Sequence, residues 1–298
     1  MKKILISICF LISTISIAQN DSIFNRLQAI KTNNGLTLYN IDGFEIASEI
    51  VNYPFTEKGI RKAYRKYSIK NRKNNSKDNQ IKYDNFYINH EEKITENLIQ
   101  KNSFYTVENQ KKQITIIQFS SINKRDKDFE RNMINHIMEN TIPKENFASI
   151  KIDSINFVGR KIKLGTNCNW TNVNTVQCPY YGEMNWSVHK DLQDAKNTIE
   201  QQFEVTKSKK GGKIISEETV EIEFEGTETN AKKVILGFKG MKSLLVGMTG
   251  GKTLTIYYVA TKVRENYVSC VLSFWNNDTI TENGIAPLLE KVMKLKNN

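Results

Sequence analysis

The chain has 298 residues, 39% of them apolar, and carries 43 Lys and Arg against 32 Asp and Glu, a formal net charge of +11. That apolar share excludes a disordered or fibrous chain and suffices for one large core or two ordinary ones. The basic excess favours anionic neighbours over cationic ones, although heavy use of Lys, Asn and Ile looks like the coding bias of an AT-rich bacterial genome and explains part of it.

The chain begins with Met1, Lys2 and Lys3, an apolar run from Ile4 to Ile17, and the residues Ser16, Ile17 and Ala18 ahead of Gln19. This is the pattern of a secretory signal peptide over residues 1–18, cut after Ala18. Loss of Lys2 and Lys3 leaves a net charge of +9. The run is too short for a comfortable membrane span, and no later stretch reaches about 18 apolar residues. The expectation is a soluble exported protein, periplasmic or extracellular. There, Cys168, Cys178 and Cys270 allow one disulfide and one spare thiol.

A short helix is expected over Asp21 to Lys31, then extended chain from Leu36 to Ile50. Thr56 to Ile69 reads as a helix with Ile60, Ala63, Tyr64 and Tyr67 on its apolar stripe. Its other face carries Arg61, Lys62, Arg65 and Lys66, within a basic run that continues to Lys77. Such a face is commonly just solvated; as a binding surface it would take an anionic envelope component or an acidic protein. Nucleic acid is a poor candidate outside the cytoplasm. Strands are expected at Ile81 to Ile88, Phe104 to Val107 and Ile114 to Phe119, and a helix from Asp126 to about Asn140 that stops before Pro143.

The clearest pattern runs from Arg160 to His189. Ile162, Leu164, Cys168, Trp170, Val176, Cys178, Tyr180, Met184, Trp186 and Val188 hold the even positions, while polar residues such as Lys163, Asn167, Gln177, Glu183, Asn185 and Ser187 hold the odd ones. A period of two marks strands with one buried face. Folding about Val173 sets Cys168 opposite Cys178 and Lys163 opposite Glu183, so a Cys168–Cys178 disulfide is expected to pin a hairpin. The aromatic residues read as its core side. Trp170, nearest the tip, is the exception that could present a platform to a sugar or peptide.

A helix from Asp191 to about Lys209 follows, with Ala195, Ile199, Phe203 and Thr206 on one face. Strands are expected at Val220 to Phe224, Val234 to Phe238, Leu254 to Ala260 and Tyr267 to Trp275. A last helix is expected from about Asn283 to Lys296, with Pro287 in its first turn. Phe104 through Met138 and Ile256 through Met293 share the order strand, turn, strand, helix. The expected architecture is therefore α+β: two tandem related units, residues 19–150 and 151–298, each an antiparallel sheet packed with helices as an α/β sandwich.

Chemistry-bearing motifs are sparse. Gly250, Gly251, Lys252 and Thr253 imitate the end of a phosphate loop, but a strand follows where the nucleotide site needs a helix N-terminus. The stretch from Gly237 to Gly251 is either a buried strand or an adaptable apolar surface, with Met241, Leu244, Leu245 and Met248 as candidate binding residues. His90, His136 and His189 are the only histidines. They are too few for a metal centre, and His189 with Ser187 and Asp191 is a poor hydrolase triad. Cys270 shares a strand face with Val268, Leu272 and Phe274 and is expected to be buried and inert. No cofactor motif is present. These residues point to a non-enzymatic binding or interaction protein of the bacterial cell envelope, with an exported hydrolase or a structural envelope protein as alternatives.

Overall fold

The computed structural model describes residues 23–69, 75–165, 167–209, 211–238 and 251–296. The leader at 1–18, Lys70, Arg72 and Lys73 of the basic run, and the candidate residues Met241, Leu244, Leu245 and Met248 lie outside them.

A first sheet has seven strands, ordered β4-β5-β6-β3-β2-β1-β7. In chain order they are β1 (Gln28–Lys31), β2 (Thr37–Ile41), β3 (Phe44–Pro54), β4 (Asn85–Lys93), β5 (Ile99–Glu108), β6 (Gln113–Ile122) and β7 (Phe147–Ala148). All pairings are antiparallel except that of β1 with β7. Helix α1 (Glu57–Lys66) follows β3, and α2 (Lys127–Glu139) follows β6. Thr56 caps α1 by accepting from the Gly59 amide, and Asp126 caps α2 by accepting from the Phe129 amide, each satisfying an N-terminal donor. Alternation along β6 sends Ile114 and Ile116 toward Ala63 and Tyr64 of α1, and Ile117 and Phe119 toward Met133 and Ile134 of α2.

The second sheet has eight strands, ordered β10-β11-β12-β16-β15-β14-β13-β17. They are β10 (Asn169–Asn172), β11 (Thr175–Cys178), β12 (Gly182–His189), β13 (Gly212–Phe224), β14 (Thr227–Phe238), β15 (Thr253–Val263), β16 (Asn266–Trp275) and β17 (Met293–Leu295). Helix α3 (Leu192–Ser208) follows β12 and packs Ile199 and Phe203 on one face, against Val234, Leu236, Ile256 and Tyr258. The opposite face is covered by a separate ribbon, β8 (Ser154–Phe157) with β9 (Arg160–Lys163), and by the C-terminal segment. Both large sheets wind alike: a three-strand meander, a helix, and a return whose last strand pairs with the third, β6 on β3 and β16 on β12.

The expected α/β sandwich is corrected. Strands make up 49% of the described residues and helix 20%, with four short α-helices among them. The molecule is mostly β. The helix expected over 283–296 shrinks to α4 (Pro287–Glu290), and β17 then pairs with the outer edge of β13. Ile285, Leu288, Leu289, Val292 and Met293 are all buried as a helical stripe would require, so spacing identified the core residues but not the backbone that carries them. The helix expected from Asp21 is likewise a single 3-10 turn, Ile23–Asn25, followed by β1.

The disulfide between Cys168 and Cys178 is present. Its hairpin is β10–β11, with Asn169 opposite Gln177. The long two-strand arrangement is replaced by the β10-β11-β12 meander, so Lys163 faces Ser154 and Glu183 faces Gln177. Tyr180 turns outward at 64% exposure in the tight connection before Gly182. Gly182 has φ +103°, and a Cβ there would lie 2.8 Å from Leu289 Cδ1 and 3.0 Å from Ser273 O, so only glycine fits. Replacing Cys168 and Cys178 together with Ala is expected to lower stability by about 2–3 kcal/mol, the entropy of closing so short a ring. Urea unfolding of native, reduced and doubly substituted protein checks this; no loss in the latter two would refute it.

Candidate functional site

The two sheets meet where the β2–β3 turn, Asp42 and Gly43, docks on β12. The Asp42 amide donates to Val188 O at 3.2 Å, and Lys124 Nζ donates to Asp42 O. The Asp42 carboxylate accepts from Arg26 Nε at 2.9 Å and Nη2 at 3.1 Å, both groups being buried. A bidentate pair of this kind holds the turn in one orientation.

Beside this joint lies an open groove of about 1200 Å³. Phe147 of the first sheet and Trp170 and Tyr267 of the second line it, all half-buried. Trp170 Nε1 donates to Ser149 O at 3.0 Å, and its ring lies 5.9 Å from that of Trp186. The groove is lined by four basic and three acidic side chains, so it has no strong preference for charge. Three of its residues carry a buried polar atom with no hydrogen-bond partner among the described residues: Gln28 Oε1, Trp186 Nε1 and His189 Nδ1. Buried polar groups are nearly always partnered, because leaving one unmade costs about 1–3 kcal/mol. Three of the nine such atoms among the described residues thus belong to residues that line this one groove.

His189 is 1% exposed, and its Nε2 lies 2.8 Å from Ser269 Oγ. Of the odd positions of β12, read as a wet face, Ser187 and His189 are buried and Glu183 and Asn185 half-buried, because the first sheet and α3 pack over that face. Ser187 turns to Asn174, whose Nδ2 donates to Ser187 Oγ at 3.0 Å, and Asp191 caps α3 by accepting from the Asp194 amide. The suggested triad is thus not assembled. Ser269 is 2% exposed and does not line this groove, and no carboxylate bonds His189 Nδ1. Desolvation lowers the imidazole pKa from 6.5 to about 4, with Lys124 adding to the effect and Asp42, Asp194 and Asp191 opposing it.

That shift links stability to pH. The unfolded chain binds a proton near pH 6.5 that the folded chain refuses until about pH 4, so the stabilisation from neutral His189 is complete above pH 6.5 and is lost as pH falls toward 4. The full swing is about 3 kcal/mol. Urea midpoints at pH 7 and 4.5 should fall further for the native protein than for His189→Gln; equal falls would refute the linkage.

The basic face of α1 is real but partly neutralised. Arg61, Lys62, Arg65 and Lys66 are all exposed, yet Arg61 pairs with Glu57 at 3.0 Å, Lys66 with Glu49 at 2.7 Å, and Lys62 lies over the Tyr53 ring. It is remote in sequence and in lining residues from the groove, so the sequence-derived sites do not converge. Cys270 is free, buried and 1% exposed, and burial pushes its thiol pKa up. The amides of Lys252 and Thr253 donate to Asn276 Oδ1 at the start of β15, which accounts for the phosphate-loop imitation as a strand-entry turn. No group of three or more His, Cys, Asp or Glu suited to a metal ion occurs among the described residues. No helix among them is long and apolar enough to cross a membrane.

Sequence reasoning missed Gln28 and His189 as groove residues. Nothing in their local pattern signals it, because the groove exists only where two sheets distant in sequence meet. No family model matches the chain. No curated protein matches it either. Among solved structures it is similar, at 8% identity and a TM-score of 0.17 over 88% of this chain and 75% of the other, to the di-domain ARO/CYC StfQ from the steffimycin biosynthetic pathway, a likeness too slight to carry any argument.

Proposed function

We propose that this is an exported, non-enzymatic binding protein of the bacterial cell envelope, and that its ligand is a neutral oligosaccharide held in the groove between the sheets. The observation that carries this reading is the groove itself, with its aromatic walls and the three unpartnered atoms Gln28 Oε1, Trp186 Nε1 and His189 Nδ1. Sugar faces pack on Trp170 and Tyr267. Hydroxyl and acetamido groups both donate and accept, which suits a mixture of one donor, one acceptor and one imidazole nitrogen buried in the groove wall. The leader pattern at Met1 to Ala18 and the Cys168–Cys178 disulfide support export. The α1 face would then bring Arg61, Lys62 and Arg65 to an anionic envelope component.

The test is titration of the protein with chitotetraose, followed by tryptophan fluorescence and by chromatography of the sugar. Saturable binding that Trp170→Ala weakens about tenfold or more, with the sugar recovered intact, is the expected result. No binding would overturn the ligand class. Cleavage of the sugar would favour the hydrolase reading instead.

A further inference from the structure

A second cavity, of about 450 Å³, opens between the same two sheets and along α3. Its polar inventory is lopsided. Glu45 enters from β3 of the first sheet and Glu183 from β12 of the second. Two carboxamide oxygens on its walls, Asn40 Oδ1 and Gln202 Oε1, accept no hydrogen bond from any described residue, and Asn40 is only 3% exposed.

Three carboxamide NH2 groups nearby are already engaged. Gln202 Nε2 donates to Asn185 Oδ1 at 3.3 Å, Asn185 Nδ2 to Thr175 Oγ1 at 2.7 Å and Asn174 Oδ1 at 3.2 Å, and Asn172 Nδ2 to Glu45 Oε1 at 3.4 Å. Lys209 is the one cationic side chain among the lining residues. The cleft therefore holds acceptors in excess. Neighbouring protein raises the pKa of Glu45 against the Asn172 hydrogen bond, and burial raises that of Glu183 against the charge of Lys209. Both stay reachable, Glu45 being exposed to the cleft and Glu183 half-buried.

We propose that this cleft binds a linear alkyl diamine or polyamine, its ammonium ends on Glu45 and Glu183 and its remaining N–H donors on Asn40 Oδ1 and Gln202 Oε1. Positive charge answers the two carboxylates, N–H groups answer the oxygen acceptors, and a methylene chain suits Ile94, Ile122 and Val205 on the walls. A bare divalent cation fits less well. Such an ion needs six or more oxygens converging within about 2.5 Å, whereas the two carboxylates come from opposite sheets across a space many times an ion's volume. This site shares no lining residue with the Gln28, Trp186 and His189 groove, and it stands whether or not that groove takes a sugar.

Isothermal titration of the full chain with spermidine tests it. A protein of net charge +11 repels polycations overall, so saturable one-to-one binding has to arise at a local acidic site. Glu45→Gln combined with Glu183→Gln should weaken it about tenfold or more, and Glu45→Gln alone by a smaller factor. Both replacements keep side-chain shape and remove desolvated charge, and far-UV circular dichroism verifies that the variants fold. Absence of binding, equal binding by the double variant, or one-to-one binding of calcium with none of spermidine would each overturn the proposal.

Discussion

Trp186→Ala is expected to destabilise the protein by about 3–5 kcal/mol, the cost of emptying a large aromatic site that cannot collapse. Trp186 is 1% exposed, its ring lies 5.5 Å from Phe157 and 5.9 Å from Trp170, and on β12 it sits opposite Cys270 of β16. The cavity would open beneath the β8–β9 ribbon and beside the disulfide, where cross-strand pairing leaves little room to relax. Trp186→Phe separates packing from bonding. It keeps an aromatic ring and deletes an N–H that has no described partner, so stability should stay within about 1.5 kcal/mol of native. If a ligand completes that N–H, the same variant should bind chitotetraose more weakly. Urea unfolding and the fluorescence titration, run together, check both halves.

The second large effect is expected at Glu130 of α2. This carboxylate is 1% exposed and accepts from Ser103 Oγ at 2.7 Å and Tyr105 Oη at 2.6 Å, with Lys127 Nζ at 3.6 Å. Lys127 also lies 3.7 Å from the Tyr87 ring centroid, and burial pushes its pKa down while Glu130 holds it up. Burial, reinforced by the Glu130 charge, pushes the Tyr105 hydroxyl pKa up, so it remains a donor. Glu130→Ala removes the centre of this network, leaving two hydroxyls without their acceptor and the Lys127 ammonium, which still donates to Tyr105 Oη at 2.9 Å, without its counter-charge, a loss of about 3–5 kcal/mol. Glu130→Gln keeps an oxygen acceptor and the shape, and should lose less than Glu130→Ala. Denaturant unfolding of the two variants measures the difference; equal losses would mean that charge, not the acceptor, holds the network.

Both residues bear on how much was legible in advance. Trp186 stood out as the core side of a period-two strand, and it is. Glu130 did not, because a carboxylate on the stripe of a helix reads as solvated unless its partners are known, and Ser103 and Tyr105 come from a different strand. The Cys168–Cys178 pair was readable because a turn between two alternating runs brings chain neighbours together, a local event. The pairing of Lys163 with Glu183 failed because the chain makes two further reversals between them. Arg61, Lys62, Arg65 and Lys66 were placed correctly on one helix face, since helical periodicity is local as well; their pairing with Glu57 and Glu49 mutes that face.

The corrected fold class has the same origin. Apolar spacing at Ile285, Leu288, Leu289 and Val292 satisfied a helix and a buried irregular segment equally, and the free edge of β13 decided between them by pairing with Met293 to Leu295. His189 shows the limit most sharply. By alternation it belonged to a wet face, yet the first sheet packs across that face and holds the imidazole dry and neutral.

By itself the sequence determined the leader-like start, the capped helices α1 to α3, the alternating strands and the disulfide partners, all of which depend on interactions between residues close along the chain. The tertiary structure alone decided the mostly-β balance, the groove carrying Gln28, Trp186 and His189, and the acceptor-rich cleft between Glu45 and Glu183. Those features arise where two sheets meet, and the meeting is set by the Asp42–Gly43 turn on β12 and the Arg26–Asp42 pair, contacts whose partners lie too far apart in the chain for periodicity to report.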